Sequence, residues 1–136
     1  MSKSLGFNVE LSVPFDAAVT RVREALKHEG FGVLTEIDLR AAFKEKLGRE
    51  FRPYMILGAC NPPLAFDAIT ADPSVGLLLP CNVTVEWIAD GRTAVRLTDP
   101  EALLSNVVLQ DAPQLTSVAR DARERMRRVA DSLSKT

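Results

Sequence analysis

Residues 6–13 alternate between apolar and polar side chains. Phe7, Val9, Leu11 and Val13 fall on one side, and Asn8, Glu10 and Ser12 on the other. A period of two predicts a half-buried strand. Pro14, which has no N–H to give to a ladder, ends it. From Phe15 to Glu29 the period lengthens, and Phe15, Ala18, Val19, Val22, Ala25 and Leu26 form one stripe at helical spacing. Asp16 in the first turn and Lys27 in the last suit the helix dipole, and Gly30 is the expected stop. Phe31, Val33 and Thr35 predict a second strand reaching Ile37, with Leu34 and Ile37 partly out of phase. Asp38 then caps a short helix carrying Leu39, Ala42, Phe43, Lys46 and Leu47 on one face, with Gly48 at its end.

Tyr54 to Ala59 is apolar on both faces, which predicts a central strand covered on both sides. Asn61 can cap a following helix whose first turn accepts Pro62 and Pro63, and Asp72-Pro73 stops it. Leu64, Ala65, Phe66, Ala68 and Ile69 surround most of that helix, so little of it is expected to face water. Val75 to Pro80 is expected to be an apolar linker. Alternation returns from Cys81 to Ile88, with Cys81, Val83, Val85 and Trp87 in phase, and Asp90-Gly91 predicts a hairpin into Thr93 to Leu97. Asp99-Pro100-Glu101 starts a short helix to about Ser105. The stripe Leu115, Val118, Ala119, Ala122, Met126, Val129 and Leu133 predicts a long last helix over 113–133. Strand, helix, four strands with short helical insertions and a long helix make an α+β fold. Its antiparallel sheet is covered on one face by two long helices.

Composition narrows the function classes. The 136 residues suit one domain, 1–136, and 46% hydrophobic with 26% charged is ordinary for a globular chain. Such a chain buries about two-thirds of its unfolded surface and needs no staple. The net charge of -1 gives no electrostatic case for nucleic acid or an anionic membrane surface. No apolar run reaches the ~20 residues of a membrane helix, and the opening residues do not read as a secretory leader. The expected location is the cytoplasm, where two cysteines stay as thiols unless they form a redox pair. Arg120, Arg123, Arg127 and Arg128 lie opposite the last helix's apolar stripe, interleaved with Asp121, Glu124 and Asp131. A salt-bridged solvent face is the expectation there.

Unusual chemistry is confined to two Cys-Asn steps. Gly58-Ala59-Cys60-Asn61-Pro62 ends a strand at a thiol beside a helix N-terminus, where backbone N–H groups favour a thiolate. Pro80-Cys81-Asn82 opens the next strand, with Cys81 on the core face. If those strands are antiparallel neighbours, the two thiols share one end of the sheet. A reversible disulfide, or a shared soft-metal or sulfur site, is then within reach, provided the Cα atoms come within about 7 Å. The alternative at each position is packing, since free cysteine serves as a small hydrophobe. The candidate thiol site is therefore Cys60 and Cys81, lined by Gly58, Asn61, Pro62, Pro80 and Asn82. Two thiolates leave a tetrahedral zinc site short of ligands, and His28 sits at the end of the first helix. No phosphate loop, dinucleotide fingerprint or other cofactor motif is present, so no cofactor is identified.

The segments Gly58 to Ala65 and Gly76 to Val83 resemble the bacterial and archaeal family catalogued as domain of unknown function 302. The Phe15-Asp16-Ala17-Ala18-Val19 helix start and the segment Phe31 to Leu39 fit it too. The resemblance implies a β-α-β4-α arrangement like that of the TATA-binding protein, and a homodimer. It implies no activity. Three functional readings stay open: a module binding a small ligand, soft metal or sulfur species at the Cys60/Cys81 corner; a thiol redox enzyme with Cys60 as nucleophile and Cys81 as resolving thiol; and a structural homodimer without small-molecule chemistry.

Overall fold

The alternating segments pair into one sheet. The computed structural model describes residues 5–104 and 113–135. In chain order these form β1 (Gly6–Leu11), α1 (Phe15–His28), β2 (Gly32–Asp38), α2 (Leu39–Leu47), β3 (Tyr54–Cys60) and α3 (Pro62–Ala71). A 3-10 helix (Pro73–Leu78) follows, then β4 (Cys81–Ala89), β5 (Arg92–Thr98), α4 (Pro100–Leu104) and α5 (Pro113–Ser134). The sheet order is β1-β5-β4-β3-β2, and every neighbouring pair is antiparallel. The β-α-β4-α plan with short helical insertions is the observed one. No helix among the described residues is long and apolar enough to cross a membrane.

One face of the sheet carries the main core. Leu11, Leu57, Ala59, Val83, Val85, Val95 and Leu97 are buried there against Ala18, Val22 and Leu26 of α1 and Met126, Val129 and Leu133 of α5. A second cluster joins Ala68 of α3, Val75, Leu104 of α4, and Leu115 and Ala119 from the first half of α5. The 22-residue α5 thus serves two cores with one apolar stripe. Its opposite face is ion-paired, as the interleaved charges predict: Arg127 with Glu124 and Asp131, Arg128 with Glu29, and Arg123 with Asp99.

Four expectations change. The pairing register shifts between Val33 and Thr35, a bulge that moves Thr35 and Ile37 out of step with Val33 and explains the broken phase of that segment. β3 lies inside the sheet, but only Leu57, Gly58 and Ala59 are buried, and Tyr54, Met55, Ile56 and Cys60 remain partly open. The 3-10 helix replaces the expected linker, with the Asp72 carboxylate accepting hydrogen bonds from the Ser74 N–H and hydroxyl. Finally, α3 faces water more than its apolar character suggests: Phe66 is 70% exposed, and Leu77 in the 3-10 helix 89%. The helical turn expected at Ser105 lies outside the described residues.

Candidate functional site

β3 runs into Cys60 and β4 starts at Cys81, and the two strands are antiparallel neighbours. The two cysteines therefore share one end of the sheet. The register is offset by one residue: Ala59 stands opposite Cys81, and Cys60 stands opposite Gly32 on the other side of β3. Both thiols are free, and the pair is not at disulfide distance. The physical reason is that one-residue offset: Cys81 is directly opposed to Ala59, so Cys60 is only its diagonal neighbour.

A cavity of about 50 Å³ lies at the seam between the two cores, and both cysteines line it. Phe31, Ala59 and Cys81 face it from the main cluster. Ala68, Val75, Leu104 and Ala119 close it from the second. The space exists because alanines meet there: Ala59 from the sheet, Ala65 and Ala68 from α3, and Ala119 and Ala122 from α5. A smaller void of about 20 Å³ shares Val75, Leu79, Cys81, Pro100 and Leu104 with it. Half-buried Cys60, Leu64, Ala65 and Leu79 mark the side nearest the surface.

Asn61 supplies the amide at this cavity, and both its oxygen and one N–H are already engaged. Its Oδ1 accepts from the Leu64 N–H at 3.3 Å, capping α3, and its Nδ2 donates to the Glu29 carbonyl at 3.3 Å. Arg125 of α5 donates to the same carbonyl at 3.1 Å, so the ends of α1 and α3 and the middle of α5 meet at one acceptor. The N-terminus of α3 has no donor left for a thiolate. Pro62 and Pro63 carry no N–H, Leu64 N–H goes to Asn61 Oδ1, and Ala65 N–H goes to the Asn61 carbonyl.

The thiols respond to burial. Burial pushes the Cys60 thiol above its ordinary value. Burial, then the nearby Cys60, pushes Cys81 up to about 11. This reverses the direction expected for Cys60 from its position before a helix. At neutral pH both side chains are protonated and act as soft, weakly polar groups. Among the described residues no group of three or more His, Cys, Asp or Glu side chains could hold a metal ion, and His28 sits on the exposed last turn of α1.

Of the expected lining residues, only Asn61 joins Cys60 and Cys81 at the cavity. Asn82 lies on the opposite, open face of the sheet, in a shallow concavity with Asn8, Thr84 and Arg96. Gly58 also points its missing side chain that way: a Cβ there would sit 2.7 Å from Pro80 Cγ and inside van der Waals contact with Thr35 Oγ1. Pro80 and Gly58 are thus a packing pair behind the site, and Pro62 serves the start of α3. The site residues missed from sequence are the alanines of α3 and α5, which read there only as members of apolar helix faces.

Comparison with known proteins agrees with this architecture. Among curated proteins no significant match exists. The crystal structure of an uncharacterised conserved protein, DUF302, from Bacillus stearothermophilus superposes with a TM-score of 0.82 at 30% identity, covering 96% of this chain and 99% of that one. The family profile described as domain of unknown function DUF302 matches residues 7–133. With the profile spanning nearly the whole chain and the fold shared end to end, the protein belongs to the DUF302 family.

Proposed function

We propose that the protein is a binding module whose Cys60/Cys81 corner takes a small soft ligand or sulfur species. The observation that carries this reading is the shared cavity: two free thiols from adjacent strand ends line one small apolar space. Ligand pockets for drug-sized molecules run to roughly 300–1,000 Å³, so a space of about 50 Å³ points to a guest of a few atoms. The competing redox reading needs an activated Cys60. Burial acts against that, and the donors at the start of α3 are absent or taken. The test is native mass spectrometry of protein purified without reductant, then titrated with sulfide and with Cu(I). An adduct on the wild type that is lost in a Cys60→Ala/Cys81→Ala variant is expected. An adduct retained by that variant, or none on either protein, overturns the reading.

A second reading, a homodimer, draws support from the exposed apolar residues Phe66, Ile69 and Leu77, since contiguous apolar patches mark association surfaces. α3 and the adjoining 3-10 helix bring these residues near one another, a Cβ on Gly76 lying 3.6 Å from Ile69 Cδ1. Light scattering should then give twice the 14.9 kDa chain mass, reverting to one chain in Phe66→Ser/Leu77→Ser. A wild-type mass of one chain removes it.

A further inference from the structure

We infer that the Cys60/Cys81 cavity selects a neutral, polarisable guest of a few heavy atoms and rejects ions of either sign. This rests on the binding-module reading and narrows its ligand class. The character of the walls is decisive. No charged side chain among the described residues lines the cavity; apart from the two cysteines, its lining is apolar except for Asn61. The Asn61 amide oxygen and one of its N–H groups are committed to Leu64 N–H and the Glu29 carbonyl. An anion at a helix start is ordinarily held by free N–H groups, but α3 opens with two prolines and two N–H groups already bonded to Asn61. An entering anion would thus lose its water for no more than the second Asn61 N–H and two weak S–H donors. Burying an uncompensated charge costs several kcal/mol.

A cation fares no better. A soft metal such as Cu(I) would need both thiols ionised, releasing two protons. The bis-thiolate complex then carries net negative charge against walls that present no cationic side chain among the described residues. A neutral guest avoids both costs. It exchanges water for contact with Ala59, Ala68, Val75 and the two sulfur atoms, which are polarisable partners. The room suits it: a water needs roughly 10–15 Å³ of this kind of space, so about 50 Å³ admits only a few atoms. The adjoining void around Cys81 extends the same apolar surface.

The experiment compares guests of different charge on the intact chain. Backbone amide NMR is recorded under xenon pressure and, separately, with dissolved sulfide across pH, and Cu(I) is offered in competition with a chelator. Xenon and neutral hydrogen sulfide should shift the amides of Ala59, Cys81 and Ala119. Apparent sulfide affinity should fall about tenfold per pH unit above the first pKa of hydrogen sulfide. Ala68→Leu, or Ala65→Leu at the half-buried side should the first not fold, should abolish the xenon shifts. Cu(I) held one per chain, or hydrosulfide bound more tightly than hydrogen sulfide, overturns the inference and leaves the binding-module reading standing. Failure of all three probes to bind overturns both.

Discussion

At the scale of single residues, Gly58 and Cys81 show two ways in which this corner is constrained. Gly58 is required by space: its strand conformation is ordinary, but Thr35 and Pro80 occupy the volume a Cβ would need. Gly58→Ala should therefore cost about 1–3 kcal/mol as overpacking, read from urea unfolding. Combining it with Thr35→Ala should recover part of the loss, because the two sites share one contact. A fully additive double variant would place the clash elsewhere. Cys81 is constrained by ionisation. Its thiol is raised from about 9 to about 11, burial first and Cys60 second, so the folded state holds its proton longer than the unfolded chain. The stabilising effect is complete below about pH 9 and is lost as pH rises through about 11. At about 1.4 kcal/mol for each pH unit between those two values, the alkaline sensitivity amounts to roughly 2–3 kcal/mol. The urea midpoint of the wild type should drop across that window more steeply than that of Cys81→Ala, and parallel curves would contradict the burial of this thiol.

At the scale of elements, the start of α3 decides what the site can do. Asn61 does two jobs, capping α3 through Oδ1 and tying it to the end of α1 through Nδ2. Asn61→Ala should lose both, with about 1 kcal/mol from the cap alone. Asn61→Asp keeps the acceptor but turns a carboxylate toward the Glu29 carbonyl, so its thermal stability should lie at or below that of Asn61→Ala if the tie dominates, and above it if the cap does. The helix start at Asn61-Pro62 is legible in the sequence, and so is its consequence for Cys60: two prolines supply no N–H, and a helix start without free N–H groups gives a thiolate little support. Strand parity is equally legible. With Cys81 on the core face, Asn82 faces the open side of the sheet. What the sequence does not carry is the bulge between Val33 and Thr35, because register belongs to the pairing with β3 and not to β2 alone. Nor does it carry the cavity, which arises only where alanines of β3, α3 and α5 meet across the fold.

At the scale of the whole molecule, the sheet divides the protein into a helix-covered face with the cavity and an open face organised around Glu86. The alternation of β4 makes this division readable, since Val83 and Val85 face the core while Thr84 and Glu86 do not. The burial of Glu86 is not readable, because it depends on two distant arginines. Its carboxylate accepts from Arg52 Nε at 2.6 Å and from Arg96 Nη1 at 2.8 Å, joining the connection before β3 to β5 across β4. Burial works to raise its pKa, but the hydrogen bonds from Arg52 and Arg96, with their charges, outweigh it and hold the carboxyl below its ordinary value. A depressed folded pKa means stability that is present above the unfolded value of about 4.5 and lost as pH falls through the lower folded one. Glu86→Gln keeps the shape and removes the charge. Both arginines are about half exposed and can return to water, so the cost at neutral pH should be that of charged hydrogen bonds, about 1–3 kcal/mol, and not that of a stranded buried ion. The variant should also lose less stability than the wild type between pH 5 and 3, measured by urea unfolding at each pH. Equal slopes for the two proteins would mean that Glu86 is not held ionised by its arginines. A neutral-pH loss well above that range would mean that the two guanidinium groups are locked in place when their partner is removed.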